Sequence, residues 1–133
     1  MKLVVDTNVL ISGAFFAGQS SRILDACVHG KCQLVLSPAI LDEYVRVGEE
    51  FTRKRPNVDF ARLLDFLVGT SALVQAPELP QPVCDDPDDK FIKCALAGGA
   101  KIITSGDKHL LSVSGYAGIR IMRPRSFLDK YLI

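Results

Sequence analysis

Five short apolar runs, near Leu3–Val5, Gln33–Leu36, Ala72–Gln75, Lys101–Thr104 and Ile119–Met122, recur along the chain with helix-periodic segments between most of them. This alternation admits few folds, because strands joined by helical crossovers pair in parallel and need helices on both faces of the sheet. Four helical stripes are legible. Ile23, Leu24, Cys27 and Val28 end at Gly30, and Ile40, Leu41, Tyr44 and Val45 follow Ser37 as N-cap and Pro38 at the first helical position. Phe60, Leu63, Leu64 and Leu67 precede Gly69, and Phe91, Ile92, Ala95 and Leu96 precede Gly98 and Gly99. The pattern predicts a three-layer α/β/α sandwich around a twisted, mainly parallel five-stranded sheet with right-handed crossovers.

A length of 133 residues suits one domain, 1–133. Pro77, Pro80 and Pro82 make Ala76–Val83 an extended connector instead of a boundary, since the residues after it supply only two strands and some helix. A hydrophobic content of 48% excludes disorder, and the apolar runs fall far short of the roughly 20 residues that cross a bilayer. Met1–Val5 runs directly into the first strand without the features of a secretory signal, so the cytoplasm is the expected compartment. Cys27, Cys32, Cys84 and Cys94 form no CxxC and His29 stands far from His109, which argues against zinc and for free, buried thiols. With a net charge of +1, any attraction for nucleic acid must come from local clustering of bases.

Four acids stand where such a sheet gathers its chemistry. The first strand breaks off at Asp6-Thr7-Asn8, and ligands of open parallel sheets bind outside the carboxyl ends of the strands. Asp6 reads either as a metal-binding carboxylate or as a strand-end residue capping the following turn through Thr7 or Asn8. Glu43 falls in the second turn of its helix, beyond capping reach and off the apolar stripe; a solvated helix acid paired with Arg46 is its structural alternative. In Cys84-Asp85-Asp86-Pro87-Asp88-Asp89-Lys90-Phe91, Asp86 reads as an N-cap, Pro87 as the first helical residue, and Asp88 and Asp89 as first-turn acids favoured by the helix dipole. Four acids in five positions still repel one another, and a bound cation would relieve them. Ile102-Ile103-Thr104-Ser105-Gly106-Asp107 repeats the design of the amino terminus, although Asp107 also suits an N-cap for Lys108–Leu111.

Taken in order, the blocks Val4-Val5-Asp6-Thr7-Asn8-Val9-Leu10, Leu36-Ser37-Pro38 leading to Glu43, Asp85–Phe91 and Ile103–Lys108 resemble a PIN domain. More narrowly, they resemble the toxin-type PIN proteins of bacteria and archaea related to VapC, and the likeness spans nearly the whole chain. The resemblance implies a sheet ordered 3-2-1-4-5 and metal-dependent endonucleolytic cleavage of RNA with Mg²⁺ or Mn²⁺. It places the family's catalytic and metal-holding acids on Asp6, Glu43, Asp89 and Asp107, with Asp88 the alternative to Asp89, and with Thr7, Asn8 and Ser105 as polar supports. In that assignment Asp6 and Asp89 are the principal ligands, Asp107 joins them directly or through water, and Glu43 orients water or a second ion. Ser105 stands where many members carry threonine and His109 where a further acid is common; neither removes one of the four acids. The resemblance also implies an antitoxin protein partner and a homodimer.

RNA entering so negative a pocket needs flanking bases. Candidates are Arg53, Lys54 and Arg55, near Arg46 and Arg62, together with Lys90, Lys93 and Lys108 beside the acids; a solvated, solubilising surface is the alternative reading for them. Phe15 and Phe16 either pack inside or line a partner surface. Three other readings compete. A receiver-type signalling domain needs an acidic pair at the first strand and an aspartate ending the third, where this chain has Gln75-Ala76-Pro77. A dehalogenase-like phosphatase needs Asp-x-Asp, where this chain has Asp6-Thr7-Asn8. A non-catalytic PIN-like module that binds nucleic acid or protein is compatible with the acids and differs only in lacking chemistry.

Overall fold

Each of the five apolar runs forms a strand: β1 Lys2–Val5, β2 Gln33–Leu36, β3 Ala72–Leu73, β4 Ile102–Thr104 and β5 Arg120–Met122. They form one parallel sheet in the order β3-β2-β1-β4-β5. The computed structural model describes residues 1–76, 79, 81–83 and 86–132, with backbone alone at Asp86 and Pro87. Cys84, Asp85 and the connector's Pro77 and Pro80 lie outside the described residues. The α-helices among the described residues are α1 Thr7–Phe15, α2 Gln19–Val28, α3 Pro38–Lys54, α4 Phe60–Thr70, α5 Asp86–Gly98, α6 Lys108–Leu111 and α7 Pro124–Phe127. None is long and apolar enough to cross a membrane.

Register places Val4 opposite Ile103 and Val5 opposite Thr104, so β1 and β4 end side by side. The chain builds outward from β1 to β2 and β3, then returns to the other side of β1 as β4. The crevice between β1 and β4 is therefore the point where strand order reverses, the place where open α/β sheets bind ligands. Receiver-type domains are ordered 2-1-3-4-5; with β1 central and β3 at an edge, that alternative is removed.

The inner strands are apolar throughout because helices cover them: Leu3, Val4, Val5, Val35, Leu36 and Ile103 are fully buried. Helix α5 lies across β1, β2 and β4, whereas α1 packs against α2, α3 and α4. Strand β3 is shorter than the sequence suggests, ending at Leu73 instead of Gln75. Among the described residues it pairs with β2 alone, and Leu73 is 63% exposed, so little burial rewards its extension. Helix α1 has no counterpart among the four sequence stripes. Its Val9, Leu10, Ile11 and Phe15 are all buried, and an apolar run on several sides carries no amphipathic rhythm. Cys27, Cys32 and Cys94 are free and buried, as expected.

Helix α3 keeps its predicted start, with the Ser37 hydroxyl accepting from the Ile40 amide at 3.5 Å. Ile40, Tyr44 and Gly48 form its buried line. A β-carbon on Gly48 would stand 2.1 Å from the Phe60 ring, which is itself buried and stacked on Phe15 at 5.4 Å. Gly48 is thus the notch that lets α3 approach α4.

Gly48→Ala is expected to destabilise the fold by about 1–3 kcal/mol, the usual cost of overpacking a core. Gly69→Ala, at a helical position with nothing within 4 Å, is expected to stabilise it by up to about 1 kcal/mol. Denaturant unfolding of the two variants beside the parent checks both signs.

Candidate active site

Asp6 ends β1 with its amide donating to the Thr104 carbonyl at 3.0 Å, which continues the β1–β4 ladder by one residue. Its side chain does not cap α1. Instead the Ser105 hydroxyl donates to Asp6 Oδ2 at 2.6 Å, and the same hydroxyl accepts from the Asp107 amide at 2.9 Å. Ser105 thus links two acids separated by a hundred residues of chain, and both Asp6 and Ser105 are buried. Burial pushes the Asp6 carboxyl above its ordinary value of 3.8; the Ser105 bond opposes the rise, and the carboxylates of Asp107 and Glu43 add to it.

Asp107 is also the predicted N-cap, accepting from the His109 amide at 2.7 Å. Capping fixes one of its oxygens and holds the carboxylate at the β4 edge. Glu43 leaves the solvated surface that its helix position permits. The Thr7 hydroxyl donates to Glu43 Oε2 at 2.6 Å, Lys90 Nζ lies 3.2 Å from that oxygen, and Arg46 stands 3.8 Å from the other. The helix carrying Glu43 is pinned one residue further on: the Tyr44 hydroxyl, wholly buried, donates to the Val5 carbonyl at the end of β1. This contact anchors α3 beside Asp6. Tyr44 was legible only as a member of the apolar stripe, but a tyrosine among aliphatic core positions signals a hydroxyl that needs a partner.

Of the two adjacent acids in α5, Asp89 is buried and Asp88 only half-buried. Asp89 Oδ2 accepts from the Val83 amide at 3.2 Å, tying the connector's end to the helix. Of the three residues that the resemblance offers as polar supports, Thr7 hydrogen-bonds Glu43 and Ser105 hydrogen-bonds Asp6. Asn8 is exposed, and no hydrogen bond ties its side chain to the acids among the described residues. Lys93 is half-buried, while Arg53, Lys54, Arg55 and Lys108 are exposed. Arg55 lies over the Phe16 ring at 4.2 Å, while Phe15 packs inside against Phe51 and Phe60. A cavity of about 730 Å³ between α3 and α4, lined by Val45, Arg53, Phe60 and Leu64 among others, contains none of the four acids.

The donor set suits a hard divalent cation. Asp6 and Asp107 offer hard carboxylate oxygens, and the anionic form of Asp6 is disfavoured by burial and by its acidic neighbours, a cost that a cation would offset. Among the described residues no group of three or more acids, imidazoles or thiols is placed so as to hold a metal ion. An ion such as Mg²⁺, which keeps several waters and takes one or two carboxylates, does not require such a group. Thr104 Oγ1, fully buried next to Ser105, is the one buried side-chain polar atom among the described residues without a hydrogen-bond partner.

A family model described as PIN domain matches residues 2–109, well over half of the chain and all four acids. No curated protein and no solved structure matches the chain.

Because the Asp6 carboxyl is raised in the fold, its ionisation costs stability: the penalty is absent below about pH 3.8, grows as pH rises toward the elevated value and is complete above it. Asp6→Asn keeps an acceptor for Ser105 and sheds the charge. In metal-free buffer at pH 7 it is expected to raise Tm by about 2–8 °C, the span that about 1 kcal/mol produces in domains near this size, and to lose that advantage at acid pH. Tyr44→Phe has the opposite sign; leaving the Val5 carbonyl without its donor should cost about 1–3 kcal/mol in denaturant unfolding.

Proposed function

The chain belongs to the PIN-domain family, whose members are generally nucleases that use divalent metals, and on that basis we propose that it is a metal-dependent endoribonuclease. The observation that carries the proposal is the Ser105 hydroxyl joining Asp6 to Asp107 at the β1–β4 crevice, with Glu43 close enough to raise the Asp6 carboxyl further. Structural acids are ordinarily paired with bases or exposed. Here carboxylates of distant segments are brought together and one of them is buried.

In this reading Asp6, Asp89 and Asp107 hold Mg²⁺ or Mn²⁺, with Glu43 as the fourth acid and Asp88, being less buried, set aside. The ion supplies Lewis acidity toward water and a phosphate oxygen. Ser105 keeps Asp6 and Asp107 in register, and Thr7 keeps Glu43 turned toward them. Burial of Asp6 and Ser105 excludes bulk water from the inner side of the site. Arg53, Lys54, Arg55, Lys90, Lys93 and Lys108 supply local positive charge for an RNA strand that the chain's overall balance does not attract. The toxin role, an antitoxin partner, a homodimer and a cytoplasmic place of action belong to the same proposal and rest on the resemblance of the motif blocks to toxin-type relatives.

Incubation with structured and single-stranded RNAs, in Mg²⁺, Mn²⁺ or chelator, tests the proposal. Cleavage is expected with either ion, to vanish with chelator, and to fall at least about 100-fold in Asp6→Asn and Asp89→Asn, the upper range for disturbing even the outer shell of a metal site. Cleavage that survives chelation or either substitution would reject the mechanism. Retained metal binding with no cleavage across a broad RNA panel would favour the non-catalytic module.

A further inference from the structure

Glu43 differs from the other acids in what already holds it. One oxygen accepts from the Thr7 hydroxyl at 2.6 Å and faces the Lys90 ammonium at 3.2 Å; the other faces Arg46 at 3.8 Å. The Glu43–Lys90 pair is close to neutral, so it offers a cation little net attraction; Oε2 already has a hydroxyl and an ammonium, while Oε1 faces Arg46 beyond hydrogen-bond distance. Asp6, by contrast, takes a hydroxyl bond from Ser105 and faces no base among the described residues.

The pair is also placed differently. The Glu43 and Lys90 side chains are 21% and 20% exposed whereas Asp6 is buried, so they stand at the mouth of the site and not at its floor. Lys90 follows Asp89 in the first turns of α5, where the proposed ligand points inward and the ammonium reaches across to α3. An ammonium has three donors. Glu43 takes one and leaves others for an incoming oxyanion, in a rim where partial burial strengthens the attraction.

We infer that Lys90 is a substrate-contacting residue, its ammonium meeting a non-bridging oxygen of the phosphodiester, and that Glu43 is the positioning residue that holds it there instead of a ligand to the cation. The inference rests on the nuclease reading and alters it in two respects. The positive charge that a second ion would bring is built into the chain, so one divalent ion per chain suffices. Glu43 acts through Lys90.

Calorimetric titration with Mn²⁺ separates the two roles of Glu43. The parent is expected to bind one ion; Glu43→Gln should keep its affinity within about threefold, whereas Asp89→Asn should lose about tenfold or more. Binding of a short fluorescent single-stranded RNA, followed by anisotropy with Ca²⁺ in place of Mg²⁺, examines Lys90. Lys90→Met should weaken binding and reduce the slope of log K against log salt by about 0.7, the contribution of one phosphate contact on a single strand. Lys90→Arg should restore both, Glu43→Gln should weaken RNA binding in the same direction, and the double variant should lose little more than Lys90→Met alone. Lys90→Gln serves as a second neutral variant should Lys90→Met melt early. A tenfold loss of Mn²⁺ affinity in Glu43→Gln, a stoichiometry of two, or an unchanged salt slope in both neutral Lys90 variants would overturn the inference while the nuclease reading stands. A parent that binds neither Mn²⁺ nor RNA would overturn both.

Discussion

A carboxylate buried at the end of the central strand is costly, and much of the surrounding structure answers to Asp6. The Ser105 hydroxyl bond partly compensates the charge, and two neighbouring carboxylates work against it. Such an arrangement persists in a marginally stable domain only if the rest of the fold over-determines it. Here the β1–β4 ladder fixes the Asp6 backbone through Thr104, the Tyr44 hydroxyl fixes the carbonyl just before it, and α5 lies over the same strands. Removing the charge should make the protein sturdier and useless for the proposed chemistry, the usual opposition between stability and an active site.

The sheet was legible in the sequence because its inner strands are buried on both faces and read as apolar runs between helical stripes. The starts of α3 and α6 were legible too, since Ser37 and Asp107 cap them as their positions suggest. Helix α1 was not, because burial on several sides erases amphipathic periodicity. Within the acids, Asp6 and Asp107 could be paired through the recurrence of an apolar run ending in hydroxyl and acidic residues. Asp88 and Asp89 could not be told apart: both sit in the first turn of α5, and the choice depends on which faces the sheet. The Lys90 contact to Glu43 was hidden for a different reason, being a product of how α3 meets α5 and not of any local pattern.

Two kinds of acid emerge at one sheet edge. Asp6 and Asp107 are joined through a shared hydroxyl and backbone amides, which fix geometry without neutralising charge. Glu43 keeps its charge but is joined to bases that partly offset it. The family resemblance groups these residues as one quartet, whereas the partners that hold them differ in kind. The contrast is set by the helices: α3 and α5 carry side chains long enough to meet across the mouth, while the strand ends carry short ones that stay on the floor.

The position of β4 beside β1 has a consequence for the order of events during synthesis. β1 is the first strand made, yet the neighbour that supplies Ser105 and Asp107 follows only after β2, β3 and five helices. Until then Asp6 has no hydroxyl partner, and a nascent chain or fragment ending before β4 cannot bring the acids together. A nuclease built on this plan would stay silent while it is being translated.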